Sequence, residues 1–119
     1  MQNCFVFMLD NDKDFLKLYS TILQNKGCKI FATDNLFIFM EYAKTVKPYW
    51  IFIDENYASF PAEIIINIIQ SKINSDTEYT IMSKQQNPTK KSFGLPINYI
   101  YKPQTLEKII KIAEMCCIV

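Results

Sequence analysis

Two apolar runs, each ending on a carboxylate, constrain this chain more than any other feature. Tyr49-Trp50-Ile51-Phe52-Ile53 leads into Asp54, and Phe5-Val6-Phe7-Met8-Leu9 leads in the same way into Asp10, which is followed by Asn11 and Asp12. A strand with one solvated face alternates apolar and polar residues. An unbroken run instead suits a strand covered on both faces, as in a parallel sheet between layers of helices. Open parallel sheets place their ligand crevice outside the carboxyl ends of the strands, where strand order reverses. Two strands that both end in acid therefore mark a candidate site.

The remaining segments alternate strand and helix. Asp12 or Asp14 can cap a first helix with Phe15, Leu18, Tyr19, Ile22 and Leu23 at helical spacing, and Gly27 is placed to end it. Residues 28–32 read as a short second strand and 33–35 as a turn or cap. Leu36, Phe39, Met40, Ala43 and Val46 then form one face of a second helix, stopped by Pro48. Beyond Asp54, residues 55–60 form a loop in which Ser59 is a candidate cap. Pro61 suits the first turn of a helix through Ile64, Ile65, Ile68 and Ile69. The isoleucine run also fits a strand, but Pro61 and Glu63 suit a first turn, and a crossover between parallel strands needs an element of about a dozen residues. Residues 78–82 give a fourth strand ending at Ser83. Residues 84–93 are polar, basic and interrupted by Pro88, so any helix there is short. Residues 97–101 give a fifth strand ending at Lys102-Pro103, with Tyr99 and Tyr101 expected to divide between core and surface. Thr105 is a candidate cap for a last helix carrying Leu106, Ile109, Ile110, Ala113 and Cys116 on one face and Glu107 in its first turn. Five strands in strict alternation with four or five helices predict one domain over residues 1–119. It is a flavodoxin-like, doubly wound (βα)5 three-layer α/β sandwich with a parallel five-stranded sheet of order 2-1-3-4-5.

Composition excludes several functions. With 119 residues, half of them hydrophobic, and a net charge of +1, a folded single domain is expected and direct nucleic-acid binding is not. No apolar run approaches the roughly 18 residues of a membrane span, and no leader pattern opens the chain, so a cytoplasmic protein is expected. Histidine is absent, which removes a His base, a His zinc ligand and a His phosphocarrier together. Cys4, Cys28, Cys116 and Cys117 lack metal-binding spacing and are expected to be buried free thiols.

The predicted strand ends gather Asp10, Asn11 and Asp12 from the first strand, Asp54 from the third, Ser83 from the fourth and Lys102 from the fifth. Each type has a chemical use there. A carboxylate can attack a phosphoryl group to give an aspartyl phosphate. Phosphoryl transfer then depends on positioning and on charge neutralisation, which a divalent cation on oxygen ligands and a lysine ammonium can supply. A neighbouring hydroxyl can bond the new phosphoryl oxygens and so report their presence.

With these residues assembled, the chain resembles the receiver domain of two-component response regulators over nearly its whole length. The pieces that carry the resemblance are Leu9-Asp10-Asn11-Asp12-Lys13-Asp14-Phe15, the segment 48–54, Ile81-Met82-Ser83 and Tyr99-Ile100-Tyr101-Lys102-Pro103. Singly each is weak; their order and their placement at strand ends make the match. The resemblance implies that Asp54 is the phosphoacceptor and that Asp10 belongs to the acidic pair organising Mg2+. It also implies that the backbone carbonyl of Asn56 completes the metal site. Ser83 would be the switch hydroxyl, Tyr99 the switch aromatic and Lys102 the phosphate-contacting lysine. It further implies a signalling module rather than an enzyme, partnered by a histidine kinase or phosphotransfer protein and by a downstream protein target, and monomeric or weakly dimeric. No output domain is recognised in these residues, so the expectation is a stand-alone receiver that acts through a partner, or else a fragment of something longer.

The departures from the family pattern are specific. Asn11 stands where the family has its second acid and a direct metal ligand, so the site has one negative charge fewer and weaker Mg2+ binding is expected. Tyr57-Ala58-Ser59 replaces the usual Met-Pro-Gly after the acceptor, and the spacing from Ser83 to Lys102 is short, which leaves the family's fourth helix short or remodelled. Two expectations follow: a phosphorylatable receiver with weakened Mg2+ affinity, or a degenerate receiver that binds its partner without phosphorylation.

Other families fit less well. Asp10, Asp12 and Asp14 alone suit an ordinary acidic helix start. An EF-hand fails because Phe15 stands where glycine is needed and Thr21 where glutamate is needed. A haloacid dehalogenase phosphatase is disfavoured by Lys13-Asp14 in place of its Gly-Thr and by the short chain. Lys102 taken alone is a surface lysine before a proline, and Tyr57 and Phe60 either cover the loop or mark a partner surface.

Overall fold

The computed structural model describes residues 5–73, 76–88 and 96–116. The elements run β1 (Val6–Leu9), α1 (Lys13–Asn25), β2 (Ile30–Thr33), α2 (Leu36–Val46), β3 (Trp50–Asp54), α3 (Ala62–Ile73), β4 (Glu78–Ser83), β5 (Ile97–Tyr101), a 3-10 turn (Lys102–Gln104) and α4 (Thr105–Cys116). All strand pairs are parallel and the sheet order is β2-β1-β3-β4-β5, so the flavodoxin-like doubly wound architecture is the observed one.

The continuous apolar runs divide residue by residue between two cores, as the two-residue period of a strand requires. Phe7 and Leu9 of β1, with Ile51 and Ile53 of β3, pack with Phe39 and Ala43 of α2 and Ile65, Ile66 and Ile69 of α3. Val6 and Met8, with Trp50 and Phe52, pack with Leu16 and Leu23 of α1 and Ile109, Ile112 and Ala113 of α4. Among the described residues two helices thus cover each face, and Asp10 and Asp54 emerge side by side where β1 and β3 end.

Local chemistry sets the boundaries. Asp12 caps α1 through a hydrogen bond that its side chain accepts from the Phe15 amide, and Asn35 caps α2 in the same way through Ile38. Helix α1 closes with Gly27 at φ +83. The Gly27 amide donates to the Gln24 carbonyl at 3.0 Å and the Cys28 amide to the Leu23 carbonyl at 2.9 Å, the paired bonds of a Schellman ending. The isoleucine-rich segment is a helix, entered at Pro61, whose carbonyl accepts from the Ile64 amide at 3.0 Å.

Several placements differ from expectation. In α1 the buried leucines are Leu16 and Leu23, while Leu18 is 56% exposed. In α3 the buried stripe is Ile65, Ile66, Ile69 and Ile73, leaving Ile64 and Ile68 exposed, because a helix apolar nearly all round carries no phase of its own. Thr105 is not a cap: it is buried with helical dihedrals (φ −60, ψ −42), since the 3-10 turn with Pro103 in it runs directly into α4. The buried face of α4 includes Ile112, with Ile110 only half-buried. Tyr99 and Tyr101 are both half-buried, as residues two apart share a strand face. Residues 84–88 contain no helix, and 89–93 lie outside the described residues. Cys28 is buried, as expected; Cys4, Cys117 and the side chain of Cys116 lie outside the described residues.

One buried polar contact ties β3 to β4 on the α1/α4 side. The Trp50 indole N–H donates to Thr80 Oγ1 at 2.7 Å, and Thr80 is fully buried. Thr80→Val keeps the shape but leaves the indole donor unpaired, and is expected to cost about 1–3 kcal/mol of stability. Urea unfolding followed by fluorescence of Trp50, the single tryptophan, measures it.

Candidate functional site

The carboxyl edge of the sheet assembles Asp10, Asp54, Ser83 and Lys102, all buried. Lys102 directly follows β5 and begins the 3-10 turn, which directs its ammonium back across the strand ends. Its Nζ lies 2.8 Å from Asp10 Oδ2 and 3.1 Å from Asp54 Oδ1. The same ammonium sits 4.4 Å from the centroid of the Phe15 ring, a cation–π contact from the first turn of α1. The free oxygens are held by backbone: Asp10 Oδ1 accepts from the Asp12 amide at 2.9 Å and Asp54 Oδ2 from the Asn56 amide at 3.0 Å.

Two carboxylates facing one ammonium leave the cluster short of positive charge. Burial pushes the Asp10 carboxyl above its ordinary value and the charge of Asp54 adds to that, against the opposing pull of Lys102 and the Asp12 amide. Burial alone would lower the Lys102 value, but hydrogen bonds to Asp10 and Asp54 and their charges outweigh it and hold the ammonium above its ordinary value.

The loop after Asp54 is tied down from three sides. The Tyr57 amide donates to the Asp54 carbonyl at 3.1 Å, and the Glu55 amide donates to the Met82 carbonyl at 2.9 Å. The Tyr57 hydroxyl donates to the Asp34 carbonyl at 2.7 Å, and its ring packs on the α2/α3 core. Tyr57 therefore covers the loop, whereas Phe60 is 63% exposed. The Asn11 side-chain amide donates to the Tyr57 carbonyl, a bond that a carboxylate at that position could not make. The Ser83 hydroxyl, at the end of β4, accepts from the Gln85 amide at 3.0 Å.

Of the residues singled out in the sequence, Asp10, Asp54 and Lys102 meet directly, and Ser83 lies at the neighbouring strand end. Asn11 and Asn56 stand on the loops at its rim, one bonded to Tyr57 and the other to Asp54 through backbone. Tyr99 lies farther out on β5, its hydroxyl donating to Glu63 Oε2 at 2.7 Å. Among the described residues, no group of three or more His, Cys, Asp or Glu side chains is arranged to hold a metal ion. Glu63 and Phe15 were not singled out as site residues. Glu63 was legible only by its spacing: it falls on the stripe of Ile66, Ile69 and Ile73, a charged residue at a core position. Beside Lys102 a cleft of about 400 Å³ opens, lined by Asp12, Phe15, Tyr19, Lys84 and Tyr101 among others.

The architecture matches solved structures closely. The chemotaxis protein CheY4 of Vibrio cholerae superposes with a TM-score of 0.76 at 17% identity, covering 97% of this chain and 99% of that one. A CheY-like response regulator receiver domain from Methylobacillus flagellatus gives 0.74 at 15% identity, with 92% and 98% covered. The receiver domain of a Francisella response regulator gives 0.74 at 21% identity, with 95% and 96% covered. No protein-family model matches the sequence, and no curated protein matches it. The likeness is thus one of fold, extending over nearly the whole chain. No helix among the described residues is long and apolar enough to cross a membrane.

Proposed function

We propose that this chain is a response regulator receiver domain that takes a phosphoryl group onto Asp54 from a histidine kinase or phosphotransfer protein and passes the signal to a protein partner. The observation that carries this reading is Asp54 itself. It is a carboxylate only 4% exposed at the end of the central strand, with one oxygen on the Lys102 ammonium and Ser83 at the adjacent strand end. In the reaction an Asp54 oxygen attacks phosphorus, the bond from phosphorus to the donor breaks, and the donor leaves with the electron pair. Lys102 neutralises charge on the acceptor and on the transferred group. The Asn56 amide and Lys102 fix the carboxylate so that little reorganisation precedes attack. Ser83, released from the Gln85 amide, turns its hydroxyl to the new phosphoryl oxygens, and Tyr99 follows it.

The residues fit Mg2+ in kind. Asp10, Asp54 and the Asn56 carbonyl supply the small oxygen set with which this ion keeps most of its waters. Such an ion, when bound, would neutralise phosphoryl charge. With Asn11 neutral and both carboxylates already paired to Lys102, its affinity is low. Asn11→Asp is expected to raise Mg2+ affinity roughly tenfold or more, read by calorimetric titration. Unchanged affinity would place the weakness in the loop that Asn11 straps to Tyr57.

The test of the function is intact-protein mass after incubation with Mg2+ and acetyl phosphate. One added phosphoryl group is expected; no added mass overturns the acceptor role. A second reading, a degenerate receiver that binds its partner constitutively, draws support from the same ion pairs and the Asn11 strap, which order the site without a cation or phosphoryl group. It predicts partner binding indifferent to phosphodonor.

A further inference from the structure

Glu63 is an anomaly in the core. It lies in the first turn of α3 on the same stripe as Ile66, Ile69 and Ile73 and is 7% exposed. A buried carboxylate is costly unless hydrogen-bonded. Here the Tyr99 hydroxyl donates to Oε2 at 2.7 Å and supplies that bond. An apolar residue at this position would fill the stripe without making that bond. Tyr99 belongs to β5, the edge strand, where it pairs with Ile81 of β4, and its ring packs against the α2/α3 core. A cleft of about 260 Å³, bordered by Glu55, Asn56, Glu63, Gln85 and Tyr99 among others, adjoins the pair. The bond therefore spans from the helix that begins just after the acceptor loop to the outer edge of the sheet.

We infer that Glu63 is the positioning residue for Tyr99: its carboxylate latches the phenol to α3, and the state of the acceptor loop reaches the β5 edge through the making or breaking of this bond. The trigger rests on the acceptor role proposed for Asp54; the latch does not.

The experiment uses the full chain labelled with 3-fluorotyrosine, with the Tyr99 fluorine resonance assigned by its loss in Tyr99→Phe. Glu63→Leu is expected to move that resonance beyond its linewidth. Glu63→Gln, whose amide oxygen still accepts the phenol proton, should hold it near its native position. In urea unfolding, the double-mutant cycle of Glu63→Leu with Tyr99→Phe should show a coupling of about tenfold in the folding constant, and the cycle with Glu63→Gln a smaller one. A Tyr99 resonance unmoved in folded Glu63→Leu overturns the latch. If that variant does not fold, absence of coupling between Glu63→Ala and Tyr99→Phe overturns it instead. With Mg2+ and acetyl phosphate, the native resonance should move toward the Glu63→Leu position. Added mass with an unmoved resonance overturns the relay. No added mass refutes the acceptor role, and the relay with it, while the Glu63→Leu spectrum still decides the latch.

Discussion

Asp54→Asn is expected to accept no phosphoryl group under conditions in which the native chain gains one by intact mass. The carboxamide is close to isosteric but has no anionic oxygen to attack phosphorus, so the loss should be complete rather than graded. The fold should survive. The Asn56 amide can still donate to the side-chain oxygen, Lys102 retains Asp10 at 2.8 Å, and removal of one of two facing carboxylates relieves the repulsion that helps to raise the Asp10 value. The variant thereby separates chemistry from folding. If it gains the same mass as the native chain, the phosphoryl group sits elsewhere. If neither protein gains mass but both bind the same partner, the constitutive reading stands.

Lys102→Met should be the most destabilising single change at the site, by about 3–5 kcal/mol at neutral pH. Methionine fills the volume and keeps contact with Phe15, but leaves two nearly inaccessible carboxylates facing each other without a cation. Against a typical domain stability of about 5–15 kcal/mol, that is a large fraction. The pH dependence has a definite sign. The Asp10 value is raised in the folded state, so the stability it contributes is fully present below its ordinary value of 3.8 and is lost as pH rises through the folded value. Removing Lys102 removes two influences that lower the folded value, which therefore rises further and widens that window. The deficit of the variant relative to the native chain should accordingly shrink on acidification, as Asp10 takes up a proton. The raised Lys102 value acts only in alkali: its stabilisation holds below 10.5 and is lost as pH climbs through the folded value. Urea unfolding of both proteins at neutral and mildly acidic pH measures the difference. A loss below about 1 kcal/mol would mean that the pairs behave as solvent-screened surface bridges.

The site's parts differ in how far they could be seen beforehand. Asp10 and Asp54 were legible because each closes an apolar run, and a strand that ends in acid states its own position. Lys102 was legible by standing directly after β5, although nothing local showed that one ammonium would serve both carboxylates. The Asn11 strap was not legible, since its partner is a backbone carbonyl 46 residues away that carries no side-chain signature. Glu63 was read as an ordinary first-turn acid. Only the docking of α3 against the sheet placed it in the core, opposite Tyr99.

The sequence by itself determined the sheet order, the element types and the residues that reach the carboxyl edge. Strand period, caps and turn residues are local, and parallel strands with helical crossovers allow few ways of winding. The tertiary structure alone decided helix phase and pairing. Ile64, Ile65, Ile66, Ile68 and Ile69 are chemically equivalent until a neighbouring layer selects three of them for burial. In the same way, a carboxylate, an amide or a phenol declares its partner only when segments distant along the chain are brought within a few ångströms of each other.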